Sequence, residues 1–142
     1  MNKYWTVEDE HDLFRARIFE ELCTIAMRII LRMPKPIGQV CGPITTGGRG
    51  SVEANLKAME EAIQKLQSEG KNIFDQSPFE GSMAMIKKLP YYRGQLLETF
   101  YLPLFKGGFV QTLYFLPDWQ SSQGATWEHD RAKDFNLEIV YL

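Results

Sequence analysis

The sequence has 142 residues, 44% of them hydrophobic and 13% aromatic, and its formal net charge is -2. This length and composition predict one closed hydrophobic core, and therefore a single domain over residues 1–142. A chain without a basic excess lacks the electrostatic field that holds a polyanion, which argues against nucleic acid as a partner, whereas a small anion needs only a local site.

Cysteine content and apolar stretches bear on the compartment. Cys23 and Cys41 do not suggest a disulfide framework in a chain that has enough apolar residues for a core, and no signal peptide precedes them. The longest apolar stretch, residues 22–33, contains Arg28 and Arg32 and is too short to span a bilayer. We therefore expect a cytoplasmic protein without a membrane partner.

The chain begins with a predicted long helix over residues 1–34. Thr6 followed by Asp9 resembles a capping box, and apolar residues then recur at helical spacing from Leu13 to Met33, until Pro34. Further apolar residues lie off this main stripe: Phe19, Met27, Ile30 and Leu31. They predict either a subunit contact in a homo-oligomer, a dimer or higher, or a helix sandwiched within its own domain.

Residues 37–142 predict an α/β core. A short buried strand over residues 37–41 opens into a glycine-rich loop, and the next helix is capped by Ser51 and ended by Gly70. The apolar stripe of that helix is Leu56, Met59, Ile63 and Leu66. A second brief strand follows in KNIFDQSP, and then come helical segments that are broken by Pro90 and Pro103.

The last third of the chain predicts two more strands. GGFVQTLYFLP is an almost uninterrupted apolar run, which is typical of a strand covered on both faces. After it come a corner at residues 119–128, a short helix ending near Asn136, and LEIVYL as the final strand. This alternation predicts a parallel sheet of about four to five strands with right-handed crossovers.

Two segments should meet at one edge of this sheet. The loop 42–50 and the corner 119–128 both leave carboxyl ends of strands and lead into helix N-termini, where ligands bind in such sheets. Free backbone N–H groups, glycines and the hydroxyls of Thr45, Thr46, Ser121 and Ser122 suit a phosphate or a sugar. Arg49 either adds charge or is simply solvated, and such loops also serve as plain turns.

Glu128 lies one turn into the helix that follows the corner. An acidic residue there is favoured by the helix dipole alone, by roughly 0.3–1 kcal/mol. If the two loops cradle a phosphorylated sugar, however, this carboxylate would face the ring. It could then attack the anomeric carbon or stabilise an oxocarbenium-like cation.

The motifs CGPITTGGRG at 41–50 and LPDWQSSQGATWEHDRAK at 116–133 resemble the nucleoside 2-deoxyribosyltransferase-like superfamily, especially its small phage and bacterial members of unassigned function. The resemblance covers about residues 37–142, and its most specific element is Ser122-x-Gly124-x-x-x-Glu128. It implies a doubly wound, flavodoxin-like fold. It also implies substrate contacts in the glycine loop and the corner: Gly42, Ile44, Thr45, Thr46, Gly47, Gly48, Arg49, Asp118, Trp119, Ser122 and Gly124.

The resemblance implies a reaction as well. The glutamate at the position of Glu128 displaces the base from C1′, and water or a second base resolves the glycosyl-enzyme intermediate. Relatives that take free nucleosides carry aspartate at the position of Ser122, whereas those that take nucleoside 5′-monophosphates carry serine. A hydroxyl can donate to a phosphate that a carboxylate would repel. The implied activity is hydrolysis of a nucleotide N-glycosidic bond, with no cofactor.

The chain departs from the superfamily pattern at two positions. Gln39 stands where a tyrosine often orients the glutamate. An aspartate that assists the leaving base is missing from ETFYLPLFKGG, where Glu98 is either a substitute or an exposed acid. General acid–base assistance contributes typically 10²–10⁴-fold, so its loss would turn an enzyme into a binding protein.

Other prominent side chains have a structural interpretation as well as a functional one. Trp119 either stacks on a base or belongs to the core, and Asp118 either contacts a ribose hydroxyl or caps the corner. His129 follows Glu128 but points about 100° away from it on a helix, which favours a surface or packing role. His11 and His129 lack metal-ligand spacing, so we expect no metal site.

Three functions remain open on the sequence. The first is a nucleotide N-glycosidase or deoxyribosyltransferase-like enzyme that uses Glu128. The second is a non-catalytic nucleotide-binding protein, a sensor or a sequestering factor, which Gln39 and the missing aspartate favour. The third is an assembly module whose leading helix mediates oligomerisation and whose loops are only turns.

Overall fold

The structure, a computed structural model, describes residues 3–142 and divides into two compact units. We call residues up to Pro34 together with Gln76–Phe109 the helical unit, and Lys35–Asp75 together with Val110–Leu142 the sheet unit. The predicted single domain over 1–142 stays a prediction, but the α/β core is narrower than 37–142. Residues 76–109 group with the N-terminal helices instead of with the sheet.

The helical unit contains two N-terminal helices, α1 (Val7–Arg15) and α2 (Phe19–Leu31). The capping box is confirmed, since the Thr6 hydroxyl accepts from the Asp9 N–H at 3.1 Å and the Asp9 carboxylate accepts from the Thr6 N–H at 2.9 Å. Farther along, this unit contains a 3-10 turn (Ser77–Phe79), α4 (Glu80–Lys87), a π-helical turn (Leu97–Tyr101) and α5 (Leu102–Lys106).

The single long leading helix was a wrong prediction. Ala16 and Ile18 are extended, with ψ of 137° and 156°, so the helix stops at Arg15 and restarts at Phe19. The Arg17 guanidinium donates to the carbonyls of Phe14 and Ala16. The backbone N–H of Arg17 donates to the Glu21 carboxylate at 3.0 Å. These local hydrogen bonds satisfy backbone groups at the break, although the apolar spacing runs through it unchanged.

The side chains off the main stripe have different environments. Phe19 and Ile30 are buried, whereas Leu31 is 71% exposed. The predicted subunit contact stays a prediction.

Pro90 and Pro103 differ in their effect on the helical segments. Pro90 lies between α4 and the π-helical turn, as predicted. The break predicted at Pro103 was wrong, because the π-helical turn continues through this residue into α5 without interruption.

A salt-bridge cluster lies between α1 and α2. The Asp9 carboxylate is 1% exposed and contacts Arg32 and Arg28, the latter at 3.0 Å. Burial would raise the pKa of Asp9, but hydrogen bonds from Arg32 and Thr6 outweigh it and hold the pKa below its ordinary value.

A half-buried glutamate, Glu80, begins α4. Burial raises the pKa of Glu80 from 4.5 to about 7, against a smaller lowering by Lys87. One Glu80 carboxylate oxygen is buried without a hydrogen-bond partner among residues 3–142. The folded chain therefore holds a proton that the unfolded chain releases at lower pH.

Replacing Glu80 tests this linkage. As pH rises from about 4.5 to about 7, the wild-type free energy of unfolding should fall, because the unfolded state loses its proton first. Glu80→Gln should flatten that decline. It should raise the free energy of unfolding by at most about 3 kcal/mol at pH 8 and change it little at pH 4. Urea unfolding across pH measures it, with exposed Glu60→Gln as the control. Parallel curves for wild type and Glu80→Gln would contradict the prediction.

The sheet unit is a four-stranded parallel sheet in the order β2-β1-β3-β4. Its strands are β1 (Ile37–Cys41), β2 (Asn72–Ile73), β3 (Thr112–Phe115) and β4 (Glu138–Tyr141), and its helices are α3 (Val52–Ser68) and α6 (Gln123–Asp134). In the central pair, Gly38 is opposite Thr112 and Cys41 is opposite Phe115. The predicted α/β fold with a doubly wound, flavodoxin-like parallel sheet is confirmed.

Helices α3 and α6 cover opposite faces of this sheet. Val40, Tyr114 and Leu116 form one cluster with Met59 and Ile63 of α3. Side chains alternate along a strand, so Gln39 and Cys41 point to the other face, toward α6.

The order of the strands reverses between β1 and β3. The connection from β1 through α3 leads to β2 on one side, and the connection from β3 through α6 leads to β4 on the other. In open parallel sheets, such a switch point leaves a crevice beyond the carboxyl ends of the two strands. The glycine loop and the corner therefore leave the sheet at adjacent positions, as predicted. No helix in residues 3–142 is long and apolar enough to cross a membrane.

Candidate functional site

The centre of the candidate site is a buried hydrogen bond between β1 and α6. Glu128, in the second turn of α6, is 7% exposed, and Gln39 of β1 is 0% exposed. Gln39 Nε2 donates to Glu128 Oε2 at 3.0 Å. The structure thus brings together two residues singled out in the sequence, the predicted nucleophile Glu128 and Gln39.

Cys41 lies on the same face of β1 as Gln39, two residues along. It is 1% exposed. Burial raises the pKa of the Cys41 thiol well above its ordinary value, and the Glu128 carboxylate raises it further, so the thiol keeps its proton near neutral pH. The sequence analysis missed this neighbour, although the two-residue spacing from Gln39 would have indicated it.

Side chains from both loops meet the N-terminus of α6. Ser122, 4% exposed, is the N-cap, and its Oγ accepts from the Ala125 N–H at 3.1 Å. Thr46 Oγ1 accepts from the Gln123 N–H at 3.1 Å. Within residues 3–142, the Gly124 N–H has no hydrogen-bond partner. The Ser122 hydroxyl keeps its own proton for donation, which leaves two donors for an anion at this end of the helix.

The glycine loop is fastened directly to the corner. The Gly48 N–H donates to Ser121 Oγ at 2.9 Å, and Ser121 Oγ donates to the Asp118 carbonyl at 2.7 Å. Gly47 has φ of 68°, and a Cβ there would overlap the Ser121 carbonyl. Only glycine accepts both this conformation and this approach at low cost.

Asn55 shapes the loop from α3. Its Nδ2 donates to the carbonyls of Ile44 at 2.9 Å and Gly47 at 3.1 Å, and its Oδ1 accepts from the Arg49 N–H at 2.8 Å. Asn55 is 3% exposed, whereas Leu56 is only half-buried. The buried face of α3 therefore includes Asn55, and the prediction that Leu56 belongs to its apolar stripe was wrong. The sequence signal for its burial is the four-residue spacing from Met59, which places Asn55 on the core face of the helix.

Asn55→Ala should loosen the glycine loop and lower the free energy of unfolding by about 2 kcal/mol, because three hydrogen bonds to the loop backbone lose their partner. Denaturant unfolding measures this cost, and exposed Gln64→Ala on the same helix is the control. Equal stability of the two variants would show that the amide contacts do not hold the loop.

An aromatic cluster packs beside Glu128. His129 stacks on Trp119 with 4.2 Å between ring centroids, and its Nε2 lies 2.7 Å from Tyr141 Oη. Phe115 meets the imidazole edge to face at 5.0 Å. Burial lowers the pKa of His129, with a further lowering by Lys133 that outweighs Asp130. The packing reading of His129 is therefore confirmed, and one face of Trp119 is occupied by it.

The remaining predicted binding residues surround these contacts. Asp118 and Ile44 are half-buried, Thr45 is exposed, and Gly42 is buried directly after β1. Arg49 is exposed, and its guanidinium has no partner in the part of the chain that the structure describes. The structure thus places every predicted substrate contact within the sheet unit.

Glu98 belongs to a different part of the molecule. It is exposed on the π-helical turn of the helical unit, whereas Gln39 and Glu128 lie in the sheet unit. Its predicted assisting role stays a prediction. Among residues 3–142, no group of three His, Cys, Asp or Glu side chains could hold a metal ion.

Comparison with known proteins gives one family. Residues 39–141 match the model named "Domain of unknown function (DUF4406)". Neither the curated proteins nor the solved structures gave a match. The matched range contains Gln39, the glycine loop, the corner and Glu128, and it covers most of the sequence. The chain therefore belongs to the DUF4406 family.

Proposed function

We propose that the protein is a nucleoside 5′-monophosphate N-glycosidase of the nucleoside 2-deoxyribosyltransferase-like type, with Glu128 as nucleophile. The observation that carries the proposal is the buried Glu128 carboxylate, held by Gln39 Nε2 at 3.0 Å behind the N-terminus of α6. A carboxylate that only served the helix dipole would gain nothing from this burial, which costs desolvation.

The spacing along α6 supports a nucleotide as ligand. Glu128 follows Gly124 by one helical turn, and a rise of 1.5 Å per residue places it about 6 Å farther along the axis. This separation is comparable with the reach from the 5′-phosphate of a nucleotide to its C1′. A phosphate at the Gly124 N–H and the Ser122 hydroxyl would bring the anomeric carbon to the carboxylate.

The reaction would proceed by double displacement. A Glu128 oxygen forms a bond to C1′ while the C1′–N bond breaks, and its electron pair leaves on the base, which takes a proton. Water then attacks C1′, the glycosyl ester breaks, and the carboxylate returns as the water proton is released. The products are the free base and a sugar 5-phosphate.

The loops contribute binding and orientation. Hydrogen bonds from Thr46 and Ser121 fix the glycine loop against the corner, and Asn55 fixes the loop to α3. Arg49 adds a positive charge on that loop for the phosphate. A loop held this way has little conformational freedom left to lose when the ligand binds.

A second function, nucleotide binding without turnover, is favoured by one observation. The side chain that holds Glu128 is the amide of Gln39, which is not an acid and gives no proton to a leaving base. A leaving base that receives no proton departs slowly. The protein would then act as a sensor or a sequestering factor.

Incubation with each common ribo- and deoxyribonucleoside 5′-monophosphate separates the two functions. Chromatography measures the released base, and calorimetry measures binding in the same samples. Base released from at least one nucleotide supports the glycosidase. Saturable binding without release supports the binding protein, and neither binding nor release would refute both.

A further inference from the structure

Helix α1 carries apolar side chains on the side that faces away from the core. A helix turns by about 100° per residue, so Val7, His11 and Phe14 lie within about 60° of one another. The buried residues Asp9 and Leu13 lie on the opposite side of the helix. Val7 is 68% exposed and Phe14 is 84% exposed. We call the side formed by Val7, His11 and Phe14 the outer face of α1.

Exposed charges on α1 are ordered by sign along the helix. Glu8 and Glu10 lie in its first turn, whereas Arg15 is its last residue. Glu8 and Arg15 lie on the same flank of the outer face, because seven residues make about two helical turns. This flank therefore begins with a negative charge and ends with a positive one. It is complementary to a second copy of itself that runs in the opposite direction.

The same charges argue against a membrane as the partner of this face. A helix that lies on a membrane surface carries Lys and Arg beside its apolar face, because anionic headgroups attract them. On α1, the carboxylates of Glu8 and Glu10 lie beside Val7, and they would be repelled by such headgroups. A surface with both charge signs in this order fits another copy of the chain better.

We infer that the outer face of α1 is a self-association surface, on which a second copy of the chain packs with its own α1 antiparallel. A two-fold axis near the middle of the helix would place Phe14 of each copy beside His11 of the other, and Glu8 of each copy beside Arg15 of the other. Each contact occurs twice in such an interface. Phe14 supplies apolar area, and the Glu8–Arg15 pairs select the antiparallel direction. The inference does not depend on the proposed function, because Glu128 lies in the sheet unit.

Removal of the Phe14 ring tests the surface. Sedimentation equilibrium of the whole chain over a series of concentrations should show a monomer–dimer equilibrium. Phe14→Ser should weaken the dimer at least about 100-fold, because each dimer loses two buried rings. The fold of the monomer should tolerate this change, since Phe14 is 84% exposed. Val52→Ser removes an exposed apolar side chain from α3 and should leave the association unchanged.

Charge reversals test the antiparallel arrangement. Glu8→Arg should weaken the dimer about tenfold, because both ion pairs become repulsive, and Arg15→Glu should have the same effect. A mixture of these two variants should form a mixed dimer with the wild-type affinity, since one chain is positive and the other negative at both positions. Native mass spectrometry distinguishes mixed from unmixed dimers. Glu60→Arg, an exposed charge reversal on α3, is the control and should associate as the wild type does.

These measurements need no nucleotide and can overturn the inference in three ways. A wild type that stays monomeric at every concentration would refute self-association, and sedimentation of that monomer with phosphatidylglycerol vesicles would assign the outer face to a membrane. A dimer that persists in Phe14→Ser would place the interface on another surface. Charge variants that associate alone as strongly as they do when mixed would refute the antiparallel arrangement.

Discussion

Glu128→Gln should stop base release while the nucleotide still binds. An amide oxygen is not a nucleophile toward C1′, and we expect turnover to fall by at least about 10³-fold. The fold should tolerate the change, because the Gln39 side chain can present its carbonyl oxygen to the new amide in place of its N–H. Release of base under single-turnover conditions, measured by chromatography, gives the ratio of the wild-type rate to the Glu128→Gln rate.

Asp130→Asn is the matched control for this variant. Asp130 lies on the same helix, two residues from Glu128, and is exposed. It should retain wild-type turnover. Turnover in Glu128→Gln within about tenfold of the wild type would show that the carboxylate is not the nucleophile, even if hydrolysis itself is real.

A covalent intermediate gives a second readout. Double displacement places the sugar phosphate on Glu128 between the two steps. Rapid quenching and intact-mass spectrometry should therefore detect an adduct in the wild type and none in Glu128→Gln. An active wild type that forms no adduct at any quench time would favour direct attack by water, with Glu128 as its base.

The sheet was predictable from the sequence because its signals are local. β1 and β3 are short apolar runs, and Ser51 and Ser122 are ordinary helix N-caps, each accepting from a backbone N–H three residues later. Strand order then follows from few topological choices. The edge that joins the glycine loop to the corner could therefore be assigned from the sequence pattern alone.

The helix break and the contacts of the glycine loop could not be predicted from the sequence, for physical reasons. The break at Ala16–Ile18 contains no proline or glycine and preserves the apolar spacing, and the carbonyls of Phe14 and Ala16 accept there from the Arg17 guanidinium. Asn55 reaches Ile44 and Gly47 across 11 and 8 residues, contacts that no local pattern contains. Residues 76–109 carry helical spacing, but spacing does not state which unit a helix joins.

Ser122→Asp should weaken the binding of a nucleotide but not that of its parent nucleoside. Aspartate is as good an N-cap as serine, so the Ala125 N–H keeps its acceptor and the helix should still form. The new carboxylate would face the 5′-phosphate, and repulsion between close charges in a partly buried site should weaken nucleotide binding at least about 100-fold. Calorimetry with a nucleotide and its parent nucleoside measures the difference.

Ser122→Asn completes the comparison, because asparagine matches aspartate in size and capping but carries no charge. If the phosphate lies at the N-terminus of α6, only the aspartate variant should lose nucleotide affinity, and it should bind the parent nucleoside at least as well as the wild type, since its carboxylate can accept from the 5′-hydroxyl. Equal losses in both variants would attribute the effect to steric disturbance of Ser122, which is 4% exposed. Unchanged nucleotide affinity in both would place the phosphate elsewhere, and Glu128 would then no longer be one helical turn from the bound group.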